Sequence, residues 1–186
     1  EIKIKKVEEK KKIKIVDRLE EENRNELSDD VSILRKKISC YHSMNELFQD
    51  DSLSLFEKMK GLLEVICFGV NSECGSLWIF DDKTNKIFCK VALGKGSKDI
   101  IGASVNIGKG IVGSVFEEKQ SLIVDDTLKD ERFSIKFDKK SEFQTKSILA
   151  SPLIHNNEVI GVIEAINKKS TDSLFTKSDQ FFLDDL

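Results

Sequence analysis

An α+β fold, with one antiparallel sheet layered against helices at both ends of its strand run, is what this sequence predicts from three observations. The first is a pair of alternating apolar runs, Ser147–Ile154 and Glu158–Ile166, joined by the polar turn His155-Asn156-Asn157. That is the pattern of a β-hairpin whose strands each bury one face. The second is Gly75–Phe80, where Leu77, Trp78, Ile79 and Phe80 follow one another as in a strand covered on both sides. The third is helical spacing outside the strands, before Asn71 and after Phe175. Alternating strands with helices at both ends form a layered α+β arrangement.

Composition bounds the rest. The chain has 186 residues, enough for one domain and an extension. It is 39% hydrophobic and 34% charged, which suits a globular domain with a charged helix attached and argues against wholesale disorder. Thirty basic residues against 33 acidic ones give a net charge of -3, which implies no nucleic-acid partner. The Lys-rich stretch Lys3–Lys14 is followed by Glu20-Glu21-Glu22 and reads as a solvated face. No apolar run is long enough to span a bilayer and no signal-peptide pattern is present, so a cytoplasmic location is expected, without a membrane partner. The chain begins at a Glu and ends within an expected helix, Asp179–Leu186, and is read as cut from a longer protein. Cys40, Cys67, Cys74 and Cys89 form no CxxC pair, and only His42 and His155 could join them, so neither a metal site nor a disulfide framework is expected. Cys67 and Cys74 lie in apolar surroundings and are expected as buried thiols.

Residues 1–47 are expected to form a helical signalling or dimerisation arm. Dense Lys and Glu without Gly or Pro favour an exposed helix, although two short pieces alternate with strand period. Leu27, Val31, Leu34, Ile38 and Tyr41 then repeat at four and three spacings, a heptad seam. A seam this short fits either a helix packed on its own domain or a coiled-coil dimer stalk, and the narrow apolar stripe favours the stalk. Asp50-Asp51-Ser52 offers N-cap residues for a second helix, with Leu55, Met59, Leu62, Leu63, Ile66 and Val70 on one apolar face. Asn71–Gly75 is expected to turn into the first strand.

After that strand, Asp81–Asn85 is a turn, Lys86–Leu93 the returning strand, Gly94–Asp99 a loop and Ala103–Ile107 a short strand. Gly108, Gly110 and Gly113 precede a helical Ser114–Glu118. Their spacing matches neither a Walker A loop nor a dinucleotide fingerprint, so no nucleotide-hydrolysis site is expected. A tight strand-to-helix turn explains them, and a helix N-terminus there can also hold an anion. Ser121–Val124 is a further short strand, and Asp125–Phe133 has turn and helix-start character. The polar segment Ser134–Thr145, with isolated Ile135, Phe137 and Phe143, would cross the domain face.

The order of helix, strand, returning strand, Gly108-to-Asp126 stretch, crossing segment, Ser151-Pro152-Leu153 to Val159-Ile160-Gly161-Val162 hairpin and terminal helix resembles a GAF domain, over about Leu53 to Leu186. Residues 48–186 are therefore identified as that domain. The resemblance implies an antiparallel sheet with the terminal helices on one face and a ligand pocket under short helices and a loop on the other. Asn167-Lys168, Phe175 and Asp179 are similar to the Asn-Lys…Phe-x-x-x-Asp-Glu motif of GAF domains in cyclic-nucleotide phosphodiesterases and some adenylate cyclases, with Gln180 where the motif ends in Glu. In such domains the Lys and Asp fasten the last strand to the closing helix. An exposed pair of that kind contributes little, about 0–1 kcal/mol.

Ligand contacts implied by the resemblance fall on Ser76, on the backbone of Ile111 and Val112, on Asp138, Ser141 and Thr145 of the crossing loop, and on Glu164. Hydroxyls suit ribose or phosphate oxygens, and carboxylates suit purine N–H groups or the ribose hydroxyl. Guanine-selective members place an Asp after an aromatic at the end of the second strand, where this chain has Ala92-Leu93, so cAMP is slightly favoured over cGMP. The expected function is a regulatory sensor without catalytic residues or a resident cofactor, homodimeric through its helices, passing pocket closure to an effector. A ligand-free dimerisation module is the alternative. Methionine sulfoxide reduction, which some GAF-like proteins perform with reactive cysteines, would depend on Cys89, the only cysteine placed on a pocket strand.

Overall fold

The computed structural model describes residues 31–134, 138, 143–169 and 174–185. Two compact units are present, Glu1–Ser39 and Cys40–Leu186. Helix α1 spans residues 31–49; Leu27 of the expected seam lies outside the described residues. In order, Cys40–Leu186 then carries α2 (Leu55–Gly69), β1 (Ser72–Asp81), β2 (Lys86–Leu93), α3 (Ser97–Ile100), β3 (Ser104–Asn106), α4 (Gly110–Glu118), β4 (Leu122–Val124), β5 (Ile148–His155), β6 (Glu158–Lys168) and α5 (Lys177–Asp184). The six strands form one sheet in the order β3-β2-β1-β6-β5-β4, and every pairing is antiparallel.

Side-chain alternation divides the sheet into two cores. One face packs Leu77, Val91, Leu149, Ile163 and Ala165 against Cys40, Met44, Leu63, Ile66, Phe182 and Leu183, so α2, α5 and the end of α1 share that side. The opposite face packs Trp78, Ile87, Cys89, Val162, Ile148 and Ala150 against Ile111, Val112 and Val115 of α4. Adjacent residues such as Leu77 and Trp78 thus serve different cores, which is why the run from Leu77 to Phe80 carries no polar alternation. The β5–β6 hairpin closes through Asn156 and Asn157, at φ 50° and 63°, the left-handed pair of a two-residue turn.

Several expectations need correcting. The cap of α2 is Ser54 rather than Asp50–Ser52: the Ser54 hydroxyl accepts from Glu57 N while the Glu57 carboxylate accepts from Ser54 N. Asp50 instead accepts from the Ser52 backbone and hydroxyl, closing the turn before it. Leu55, assigned to the apolar face of α2, is 73% exposed because it is the first helical residue and precedes the packed turns. Strand β1 begins at Ser72, not Gly75, since Asn71 alone makes the turn at φ 55°. Helix α3 occupies part of the stretch expected as loop. Helix α4 starts at Gly110 rather than Ser114, so Gly108 precedes it while Gly110 and Gly113 lie in its first turn. Gly108 and Gly110 both sit at φ 71°, and a Cβ on Gly113 would collide with the Asn106 carbonyl oxygen.

The last strand is joined to the exit helix by a sealed junction. Lys168 Nζ donates to Asp179 Oδ2 at 2.7 Å, and the two side chains are only 13% and 9% exposed. The weight expected for an exposed pair does not apply: breaking a buried pair costs about 3–5 kcal/mol. Asp179 also accepts from Thr176 N, and Thr176 Oγ1 accepts from Asp179 N, so the same carboxylate caps α5. Phe175 is buried beneath, with Lys168 Nζ 5.6 Å from its ring centroid. Farther along α5, Asp184 accepts from Ser151 and from Ser121, tying the helix to β5 and to the start of β4. Gln180 faces outward, where its Oε1 accepts from Lys177 Nζ.

Candidate functional site

On the α4 side of the sheet lies a cavity of about 310 Å³. Its floor is strand: Cys74, Gly75 and Trp78 of β1, Leu93 of β2 and Glu164 and Ile166 of β6. Its wall is the turn into α4, from Lys109 through Val112, and its rim carries Lys95, Ser97 and Ile100. Phe133, Asp138, Phe143 and Thr145 close it from the segment between β4 and β5. Apolar residues and glycines make up most of the lining, with polar groups such as Lys95, Asn106, Asp138 and Glu164 among them. This is the usual constitution of a small-molecule site.

At the wall, Lys109 occupies the N-cap of α4 but puts no side-chain acceptor on the first turn. The N–H groups of Gly110, Ile111 and Val112 are therefore the helix's own open donors, and they border the cavity. Such a helix start attracts anions, through its donors and through the aligned peptide dipoles.

At the floor, Glu164 is 7% exposed. Its Oε2 accepts from Ser76 Oγ at 2.6 Å and from Trp78 Nε1 at 3.0 Å, and Trp78 Nε1 also donates to Ser76 Oγ at 2.8 Å. The register sets Ser76 opposite Glu164, which puts the two side chains side by side on one face of the sheet. Burial pushes the Glu164 carboxyl above the ordinary carboxylate range, against the two hydrogen bonds that pull it down.

At the roof, Asp138 Oδ2 accepts from Thr145 N at 2.8 Å and Asp138 Oδ1 from Thr145 Oγ1 at 2.7 Å. This pins the end of the crossing segment. One residue further on, Lys146 N donates to Asn167 Oδ1 at 2.7 Å, while Asn167 Nδ2 donates to Gln144 O at 2.9 Å and to Glu73 Oε2 at 3.0 Å.

Of the residues expected to meet a ligand, Ile111, Val112, Asp138, Thr145 and Glu164 line this one cavity. Ser76 does not line it but holds Glu164 from below, and Ser141 lies outside the described residues. Sequence reasoning missed Cys74, Trp78 and Ile166. Strand alternation could have found them, since they sit two residues from Ser76 or Glu164 and share their face. Phe133 and Phe143 gave no such signal, because nothing in a polar loop tells which way an isolated aromatic points. Cys89 needs correction: the cysteine at the cavity is Cys74, while Cys89 is buried beside Glu164 and its thiol is pushed up to about 12, by burial first and by the Glu164 charge second. All four cysteines are buried and none is in a disulfide.

The family profile described as "GAF domain" matches residues 53–186. Among curated proteins, the chain is 34% identical over 146 residues to the dual 3',5'-cyclic-AMP and -GMP phosphodiesterase 11A of Takifugu rubripes, covering 73% of this chain and 16% of that protein. It is 26% identical over 163 residues to the probable 3',5'-cyclic phosphodiesterase pde-5 of Caenorhabditis elegans, covering 79% and 22%. The chain thus spans less than a quarter of the length of these relatives. Among solved structures, the GAF domain of an Acinetobacter phosphoenolpyruvate-protein phosphotransferase superposes with a TM-score of 0.65 at 20% identity, covering 82% of this chain and 85% of that one. Free methionine-R-sulfoxide reductase from Neisseria meningitidis, solved with its substrate, superposes at 0.63 and 12% identity, covering 78% and 80%.

Proposed function

Because this chain belongs to the GAF domain family, we propose that it is a regulatory sensor whose cavity takes a cyclic nucleotide, with cAMP slightly favoured over cGMP. One observation carries the reading: a mostly apolar cavity has the open amides of α4 at its wall and a buried carboxyl at its floor. The first suits a cyclic phosphate, the second a purine N–H, and the apolar walls between them suit a planar base. Relatives named as cyclic-nucleotide phosphodiesterases support the ligand class. The preference for adenine is supported by Leu93, an apolar floor residue where guanine-selective members place an Asp.

Closure would reach the exit helix by a short path. A ligand that engages Asp138 or Thr145 competes with their mutual hydrogen bonds and shifts the crossing segment. Asn167 grips that segment, and its neighbour Lys168 grips Asp179 at the start of α5. The ligand can bias this path only through a difference in affinity between the two arrangements. Residues 1–47 act in this reading as the helical arm of a homodimer, and an effector lies outside the chain described.

The reductase reading is weaker. A thiol acts as its thiolate, and burial holds Cys67, Cys74 and Cys89 above the ordinary thiol range. Isothermal titration of the full chain with cAMP and with cGMP tests the proposal. Saturable heat with either supports it, and no heat with both at high protein concentration sinks it in favour of a ligand-free dimerisation module.

A further inference from the structure

The cavity contains one group that its own walls satisfy on one side only. Glu164 Oε2 receives both Ser76 Oγ and Trp78 Nε1. An indole N–H can only donate, and the Ser76 hydroxyl, which accepts from that same N–H, turns its own proton to Oε2. Both lone pairs of Oε2 are thereby used, so a proton carried by this carboxyl sits on Oε1. Among the described residues Oε1 has no hydrogen-bond partner, and Glu164 borders the cavity.

The surroundings do not fix its charge. Ser76 and Trp78 face it from β1, the high-pKa thiol of Cys89 from β2, Ala150 from β5 and the apolar Ile111 and Val112 from α4. Across the cavity stand Asp138, Lys95 at the rim and Lys109 at the wall, and among the described residues none of them is ion-paired with Glu164.

We propose that Glu164 is the residue that decides which hydrogen-bonding edge of a ligand this cavity accepts, and that the choice inverts with its ionisation. When ionised, Oε1 accepts an N–H, such as the amino group of an adenine. When protonated, the same atom donates and opposes that amino group, selecting instead a base whose facing edge carries only acceptors. The inference rests on the cyclic-nucleotide reading and adds to it a rule of edge selection. Desolvation by burial raises the carboxyl, which moves the inversion up in pH from the ordinary carboxylate range.

Trp78 is the single tryptophan of the chain, so its indole N–H resonance reports directly on the carboxyl it touches. The experiment follows that resonance over a pH series and measures affinities for cAMP and for purine riboside 3',5'-cyclic monophosphate, whose base carries no N–H. Across the midpoint given by Trp78, the preference for cAMP is expected to fall about tenfold or more as pH drops, the effect of one charge-assisted hydrogen bond. In Glu164→Gln, which keeps an acceptor for Ser76 and Trp78 and does not titrate, the preference should be flat. A flat preference in the wild-type chain overturns the inference and leaves the cyclic-nucleotide reading standing, as does an inversion that persists in Glu164→Gln. Binding of neither nucleotide at any pH overturns both. A dispersed Trp78 resonance shows whether the variant is folded, and without it the wild-type series alone decides.

Discussion

Asn167 has four hydrogen-bond partners while its own backbone sits at φ 57°, a conformation that Asn tolerates better than most residues. Asn167→Ala would strand the Lys146 and Ser147 amides and strain the backbone, and is expected to lower unfolding free energy by about 2–4 kcal/mol, measured by urea denaturation. Glu164 makes a different prediction, because its carboxyl is raised by burial. A group with a raised folded-state pKa contributes stability that is present below its unfolded value and lost as pH rises through the folded one. The melting temperature of Glu164→Gln should therefore gain on the wild type as pH rises above the ordinary carboxylate range, and a constant difference would remove the burial argument. The positions of Ser76 and Glu164 on strands were legible from alternation. Their hydrogen bond to each other was not, because it follows from a register across 88 residues of sequence separation that no local pattern encodes.

At the scale of elements, strand β2 and the hairpin turn stood close to their final bounds in the sequence, because Asp, Asn and Thr clusters punctuate strong apolar alternation there. Helix α4 was placed four residues late. Its first turn is rich in Gly, which helix propensity disfavours, and tertiary contact with β3 overrides that preference. Gly113→Ala should thus force α4 away from Asn106 and cost about 1–3 kcal/mol, with cavity-facing side chains the first to shift in chemical-shift maps. The junction of β6 and α5 gives a sharper test. Lys168→Met or Asp179→Leu alone leaves a charge in a nearly dry site and should cost about 3–5 kcal/mol. The double variant should cost less than the two single costs added, and additivity would show that the pair is solvated in solution.

For Cys40–Leu186 as a whole, the sheet separates two tasks. One face, with Trp78 and Glu164, builds the cavity; the other, with Leu77 and Ile163, holds the terminal helices. That division was expected from family resemblance more than from composition, since alternating strands alone do not say which helices share a face. The identity of the cavity residues in the crossing segment was least legible, because loop conformation depends on partners such as Asn167 that lie elsewhere in the chain. The central claim is that a cyclic nucleotide fills the cavity and that its closure is felt at the exit helix. Hydrogen–deuterium exchange of the full chain with and without saturating cAMP tests this most directly. The account predicts slower exchange in Gly110–Glu118 and in residues 143–147, accompanied by a change in Lys177–Asp184 on the opposite face. Unchanged exchange in all three segments would contradict it.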